Sequence, residues 1–155
     1  GSRFAFELPL RVGTESGSRH DSSIFTHPPL SGRVMVVDDN EVNRMVCLGM
    51  LDFLGIECVC VESAAKALEQ LSQERFDLIF MDVQMPDMDG LEATRRIRRP
   101  RSIVLDPSIP VIALTAGILS EEIERCLEAG MDGTLSKPIL PEALEEMLGR
   151  YLRHT

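Results

Sequence analysis

The sequence predicts a single doubly wound α/β domain, and three observations predict it. Residues 33–153 alternate short apolar runs with helix-period segments, the pattern of a parallel sheet covered by helices. Several of those runs finish in a carboxylate, a hydroxyl or an ammonium, as if one edge of one sheet carried one site. The chain has 155 residues, enough for one domain with a sizeable core and too few for two ordinary ones.

Strands are expected near 33–37, 56–61, 76–81, 109–114 and 132–136. After the first, Val42, Met45, Val46, Gly49, Met50, Phe53 and Leu54 approach helical spacing, and Gly55 stops the helix as a C-terminal cap. Ser63 can cap a second helix carrying Ala64, Ala67, Leu68 and Leu71. Leu91, Thr94 and Ile97 mark a third, ended by Pro100. Ser120, with Glu121 and Glu122 in the first turn, suits the start of a fourth helix and its dipole, and Gly130 closes it. Pro141 stands where a first-turn proline is tolerated, and Leu144, Met147, Leu148 and Tyr151 form the last apolar stripe.

The first 32 residues differ. From Arg11 to Gly32 the chain is rich in Gly, Ser, Thr and Pro without sustained periodicity, so 11–32 reads as a flexible linker. Phe4, Phe6 and Leu8 alternate with Ala5 and Glu7 like one strand, which alone cannot form a domain, so 1–10 reads as the remnant of a preceding one.

Composition narrows the function. A 44% apolar and 26% charged chain is ordinary for a soluble globular protein, and no run approaches the length needed to cross a bilayer. The formal charge of −9 argues against a nucleic-acid surface, which needs a basic footprint. Arg95, Arg96, Arg98, Arg99 and Arg101 are the local exception and read as a solvated helix end with its following loop. Cys58 and Cys60, two apart on an expected strand, share one of its sides but lack further ligands at metal-site spacing. With Cys47 and Cys126 they read as buried reduced thiols, in keeping with a cytoplasmic location. His20, His27 and His154 lie in terminal segments, away from any expected catalytic position.

In an open α/β sheet, ligands bind beyond the carboxyl ends of the strands, where Asp38, Asp39, Asp82, Thr115 and Lys137 are all expected. Clustered carboxylates raise one another's pKa values unless a cation lies between them, and a few oxygens plus waters suit Mg²⁺. Such an ion also accepts a phosphoryl oxygen, while a carboxylate can be the phosphoryl-accepting nucleophile. Lys137 and Thr115 would offer a point charge and a hydroxyl donor to the remaining oxygens.

Four motifs carry a family resemblance: V-M-V-V-D-D-N-E-V-N-R, D-L-I-F-M-D-V-Q-M-P-D-M-D-G, V-I-A-L-T-A and L-S-K-P-I. Through them Arg33 to Leu152 resembles the receiver domain of two-component response regulators. The resemblance implies a flavodoxin-like sheet of five parallel strands in the order 2-1-3-4-5, occupying 33–153. It implies Asp82 as phosphoacceptor, Asp39 as a direct Mg²⁺ ligand, Asp38 as a ligand largely through water, and the backbone carbonyl of Gln84 as a further ligand. Thr115 would be the switch hydroxyl and Lys137 the cation that contacts the phosphoryl group. The Lys137-Pro138 bond would be cis, an isomer open to X-Pro bonds. Such receivers catalyse their own phosphorylation from a histidine phosphate, and usually their own slow dephosphorylation. Thr134 departs from the pattern, standing where an aromatic switch residue is usual, so readout through 118–136 would be muted.

Gly1 to Leu10 resembles the closing strand of the ATP-binding domain of sensor histidine kinases. Asp39 to Arg44 and Gly130 to Gly133 are similar to receivers of hybrid kinases. The expected partners are thus a histidine kinase domain of the same polypeptide and a histidine phosphotransfer domain, with no nucleic acid and no direct membrane contact. With no DNA-binding domain after Thr155, a relay fits better than a transcription factor. Val42, Met45 and Val46, with the segment after Lys137, would form the docking surface. Two other classes compete: a module that regulates its kinase without turning over phosphate, and a small phosphatase with an aspartyl nucleophile. The phosphatase would need a general acid two residues after the nucleophile, where Gln84 stands.

Overall fold

The computed structural model describes residues 30–117 and 119–154, with side chains to Leu152. The expected strand within 1–10 and most of the expected linker lie outside them.

Five parallel strands form the central sheet: β2 (Arg33–Val37), β3 (Glu57–Val61), β4 (Leu78–Asp82), β5 (Val111–Thr115) and β6 (Gly133–Ser136). Their order is β3-β2-β4-β5-β6, which is 2-1-3-4-5 when the sheet's own strands are counted, as the resemblance implied. Between them run α1 (Glu41–Phe53), α2 (Ala64–Gln73), α3 (Gly90–Arg98) and α4 (Ser120–Ala129), and α5 (Pro141–Tyr151) follows the last.

Side chains alternate along each strand and so feed two cores. Val34, Val36, Leu78, Phe80, Ile112 and Leu114 pack with Cys47 and Leu51 of α1 and Leu144 and Leu148 of α5. Met35, Val37, Ile79, Met81, Val111 and Ala113 pack with α2, α3 and α4. Each fully buried aliphatic or aromatic side chain contributes roughly 1.5–3 kcal/mol of transfer free energy. The three central strands, covered on both faces, therefore form the rigid frame that carries the site.

Several local expectations need correction. The buried side of α1 is Cys47 and Leu51, with Met50 and Leu54 partly buried, whereas Val42, Met45, Val46 and Phe53 are exposed. This helix is apolar on more than one side, so spacing alone cannot say which side meets the sheet. The third and fourth strands start two residues later than expected and extend one residue further, so Asp82 and Thr115 are themselves the last strand residues. Ser120 is the first residue of α4 and makes no capping bond; Leu119 holds the cap position. Ser63 does cap α2, accepting from the Lys66 N–H. Gly55 and Gly130 follow α1 and α4 with φ of 77° and 107°, the left-handed turn that ends a helix.

Two further features were not foreseen. Residues 30–31, at the end of the expected linker, form β1 (Leu30–Ser31), which pairs antiparallel with β7 (Arg153–His154). Arg98 is not a solvated helix end: its guanidinium donates to the carbonyls of Gly130 and Pro107 and to the Asp132 carboxylate, joining α3 to the start of β6.

Candidate functional site

The carboxyl ends of β2, β4 and β5 and the segment after β6 converge on a cleft of about 170 Å³. Asp38, Asp39, Asp82, Gln84, Thr115 and Lys137 all line it. A larger groove of about 530 Å³ lies alongside, between the segment after β4 and α4, and shares Val83 and Gln84. The clustered carboxylates and the lysine ammonium belong to the smaller cleft.

Asp82 is buried, and its Oδ1 accepts from the Lys137 ammonium at 3.1 Å and from the Gln84 N–H at 3.2 Å. Among the described residues no donor reaches Oδ2, which leaves that oxygen to meet an electrophile or a metal. Asp38, also buried, accepts from the Asn40 N–H through Oδ1 at 2.9 Å. Its Oδ2 accepts from Lys137 at 3.2 Å and from the Asn43 amide at 3.2 Å. Arg44 donates to the Asp38 carbonyl at 2.6 Å and fixes the strand end from behind. Asp39 is exposed at the mouth, and one oxygen each from Asp38, Asp39 and Asp82 lie within 4.8 Å of one another. Thr115 is buried at the end of β5, where its hydroxyl donates to the Gly117 carbonyl at 2.6 Å. The Lys137-Pro138 bond is cis. Thr134 is half-buried on β6 in register with Ala113, while Pro138 is exposed.

Electrostatics follow from this packing. Burial pushes the Asp82 carboxyl up to about 6; Lys137 opposes the shift, and the Asp38 charge adds to it. Burial alone would lower Lys137, but its hydrogen bonds to Asp82 and Asp38 and their charges hold it above its usual value. Three carboxylates are a hard, oxygen-only donor set, which fits Mg²⁺ and gives no preference to soft metals. Metal and proton then compete for Asp82. Mg²⁺ affinity, followed by calorimetry, is expected to be flat above about pH 6 and to fall below it by up to about tenfold per pH unit. An affinity unchanged between pH 7 and 5 would contradict that competition.

Sequence reasoning missed three supporting residues. Asn40 caps α1, accepting from the Val42 and Asn43 N–H groups, while its own N–H holds Asp38. Asn43, on the first turn of α1, reaches back to the strand end. The signal was present in Asn40 as a cap and Asn43 three residues on. Gly90 had no local signal. It opens α3 against the end of β4, and a Cβ there would stand 2.3 Å from the Asp82 carbonyl oxygen and 2.9 Å from Met81 Cγ. Backbone cannot yield as a flexible side chain does, so Gly90→Ala is expected to destabilise the fold by about 2–3 kcal/mol in urea unfolding and to weaken Mg²⁺ binding by displacing Asp82. Wild-type stability in that variant would show that the contact relaxes freely.

Comparison with known proteins gives concordant results. The family model of the response regulator receiver domain matches residues 34–149. A protein of Oryza sativa subsp. japonica named probable histidine kinase 5 is 36% identical over 162 residues, covering 92% of this chain and 14% of its own length. The chain thus spans about one-seventh of that relative. The receiver domain of sensor histidine kinase PA1611 from Pseudomonas aeruginosa, solved with a magnesium ion in its active-site cleft, superposes with a TM-score of 0.70 at 36% identity, covering 78% of this chain and 97% of that one. A Saccharomyces cerevisiae receiver, that of the response regulator Ssk1 in complex with the histidine phosphotransfer protein Ypd1, matches with a TM-score of 0.71 at 25% identity, covering 82% of this chain and 91% of the other.

Proposed function

The chain belongs to the response regulator receiver domains, and from that premise we propose that Asp82 accepts a phosphoryl group from a histidine phosphate and that the chain is one station of a phosphorelay. One observation carries the reading: a buried carboxylate at a strand end, held by an ammonium on one oxygen, open on the other, and flanked by two more carboxylates.

Asp38, Asp39, Asp82 and the Gln84 carbonyl hold Mg²⁺ in this reading. A bound ion would neutralise the carboxylates and the charge spread over the phosphoryl oxygens during transfer. Asp82 Oδ2 attacks phosphorus, the P–N bond to the donor imidazole breaks, and an aspartyl phosphate forms. Lys137 then pairs with a phosphoryl oxygen in place of part of its present contact with Asp82. Thr115 exchanges the Gly117 carbonyl for another phosphoryl oxygen by turning about its side-chain bond. Thr134 supplies no aromatic ring to follow that turn, which favours relay over a conformational output.

The relay partner is a histidine phosphotransfer domain, a reading supported by the likeness to the yeast receiver in its complex. The donor is a histidine kinase domain of the same polypeptide, with residues 1–10 as the end of its ATP-binding domain, 11–29 as the linker and the receiver starting with β1 at Leu30. The rice relative supports this, because its match covers more of the chain than the receiver alone occupies. No helix among the described residues is long and apolar enough to cross a membrane, and the reading places the domain in the cytoplasm with its kinase.

Docking uses the side of α1 that the sheet leaves uncovered. Val42, Met45 and Val46 are 66%, 64% and 45% exposed beside the cleft, and Leu140 is exposed after Pro138. A charge placed there leaves the chemistry intact but spoils the interface. Val46→Glu is expected to slow phosphoryl transfer to a histidine phosphotransfer domain by roughly tenfold or more, with Mg²⁺ and beryllofluoride binding unchanged. Undiminished transfer would remove α1 from the docking surface.

A further inference from the structure

Among the described residues β3 is an edge strand, with β2 on one side and no strand on the other. Cys58 and Cys60 stand two residues apart on it, so both side chains project from one side, towards the core beneath α1. Their sulfurs lie 3.8 Å apart, and both residues are half-buried, whereas Cys47 and Cys126 are buried. Cys60 Sγ also lies 3.8 Å from the Arg44 carbonyl oxygen. Small apolar packing accounts for a half-buried cysteine, but not for two sulfurs facing each other at 3.8 Å.

The thiols are unequal. The hydrogen bond shared with Cys58 holds Cys60 below its usual value, with the Arg44 charge acting in the same direction against burial. The same shared bond and partial desolvation hold Cys58 above its usual value. A thiolate beside a protonated thiol is the arrangement of an attacking and a resolving sulfur.

We propose that Cys58 and Cys60 are a reversible oxidation site that takes a hydroperoxide. The Cys60 sulfur attacks one peroxide oxygen, the O–O bond breaks, and the leaving oxygen takes a proton, leaving Cys60 as a sulfenic acid. The Cys58 sulfur then attacks the Cys60 sulfur; an S–S bond forms, the S–O bond breaks, and the departing hydroxide leaves as water with the Cys58 proton. Two thiols are oxidised to one disulfide as the hydroperoxide is reduced by two electrons, and a dithiol reductant reverses the change. Residues two apart on a strand have Cα atoms about 6.6–6.8 Å apart, at the upper end of what a disulfide spans. Closure therefore bends β3, whose outer edge carries no partner strand among the described residues to resist it.

The test treats the whole chain with hydrogen peroxide, alkylates the remaining thiols, and cuts with a glutamyl-specific protease. Cleavage after Glu57 and Glu62 isolates a segment containing only these two cysteines. The expected product is that segment lighter by two hydrogens, restored by dithiothreitol, with thiol loss roughly tenfold faster than at Cys47 or Cys126. Cys58→Ser is expected to halt at a sulfenic acid on Cys60 that dimedone traps, and Cys60→Ser to slow loss at Cys58 to the rate of the buried thiols. Equal rates at all four cysteines in the wild-type chain, or a disulfide joining Cys60 to Cys47, would overturn the proposal.

Discussion

Asp82→Asn is expected to take up no phosphoryl label from a phosphorylated donor under conditions in which the wild-type chain is labelled. An amide lacks the anionic oxygen that attacks phosphorus, and loss of a nucleophile of this kind costs on the order of 10³-fold or more. The fold is expected to survive, because asparagine keeps the shape at the end of β4 and can still accept from the Gln84 N–H and from Lys137. Without metal the variant should in fact be the more stable protein at neutral pH. The folded-state pKa of Asp82 is raised to about 6, so the native state holds its proton more tightly than the unfolded chain does. That contribution is fully present below the usual carboxylate value near 3.8 and is lost as pH rises to about 6. Above pH 6 the wild-type protein carries the whole cost of burying the charge, and asparagine carries none. Thermal unfolding across pH 4 to 8 checks this: the advantage of the variant should grow from pH 4 to about 6 and stay level from there to 8. A variant that is less stable at pH 7.5 would contradict the electrostatic part of the account, and residual labelling would remove Asp82 as the acceptor.

Lys137→Ala has the second-largest expected effect. The ammonium bridges Asp82 and Asp38 at 3.1 and 3.2 Å and is the cation placed to meet a phosphoryl oxygen. Removing one preorganised charged donor from a water-poor site lowers transfer by about 10²–10³-fold. Metal binding should respond in the opposite direction, since the carboxylates lose the cation that competes with Mg²⁺. Slow transfer with undiminished or tighter Mg²⁺ binding thus separates loss of a catalytic contact from collapse of the site. Arginine is not expected to rescue transfer, because its planar fork cannot replace a compact ammonium between two carboxylates. Equal loss of metal binding and transfer would indicate that Lys137 holds the site together and does not contact the phosphoryl group.

What could be read from the sequence divides along physical lines. Short apolar runs mark buried parallel strands because both faces of such strands are covered, and residues at the ends of those runs fall at one sheet edge by topology. Asp38, Asp82, Thr115 and Lys137 were therefore legible as a group before any distance was known. The inward side of α1 was not, because Val42, Met45, Val46 and Phe53 offer a second apolar stripe as good as that of Cys47 and Leu51. The misreading is informative, since the stripe left outside begins at Val42, next to Asn43 of the cleft. Asn40 was legible as a helix cap, but the bonds that Asn40 and Asn43 make to Asp38 were not, because they join the helix start to the end of the preceding strand. Arg98 looked like one charge among five and proved to be the tie between α3 and the segment before β6. The pairing of β1 with β7 joins distant parts of the chain, and Gly90 meets the backbone of Asp82 across the turn between β4 and α3; neither approach is encoded in a local pattern.

The most direct test of Asp82 as phosphoacceptor is to incubate the chain with a phosphorylated histidine kinase domain and Mg²⁺, then trap the acyl phosphate by borohydride reduction and locate it by mass spectrometry. One modified residue is expected, Asp82, with formation abolished by chelating the metal. Modification at another residue, or none while the donor domain loses its phosphoryl group to an established receiver, would contradict the account.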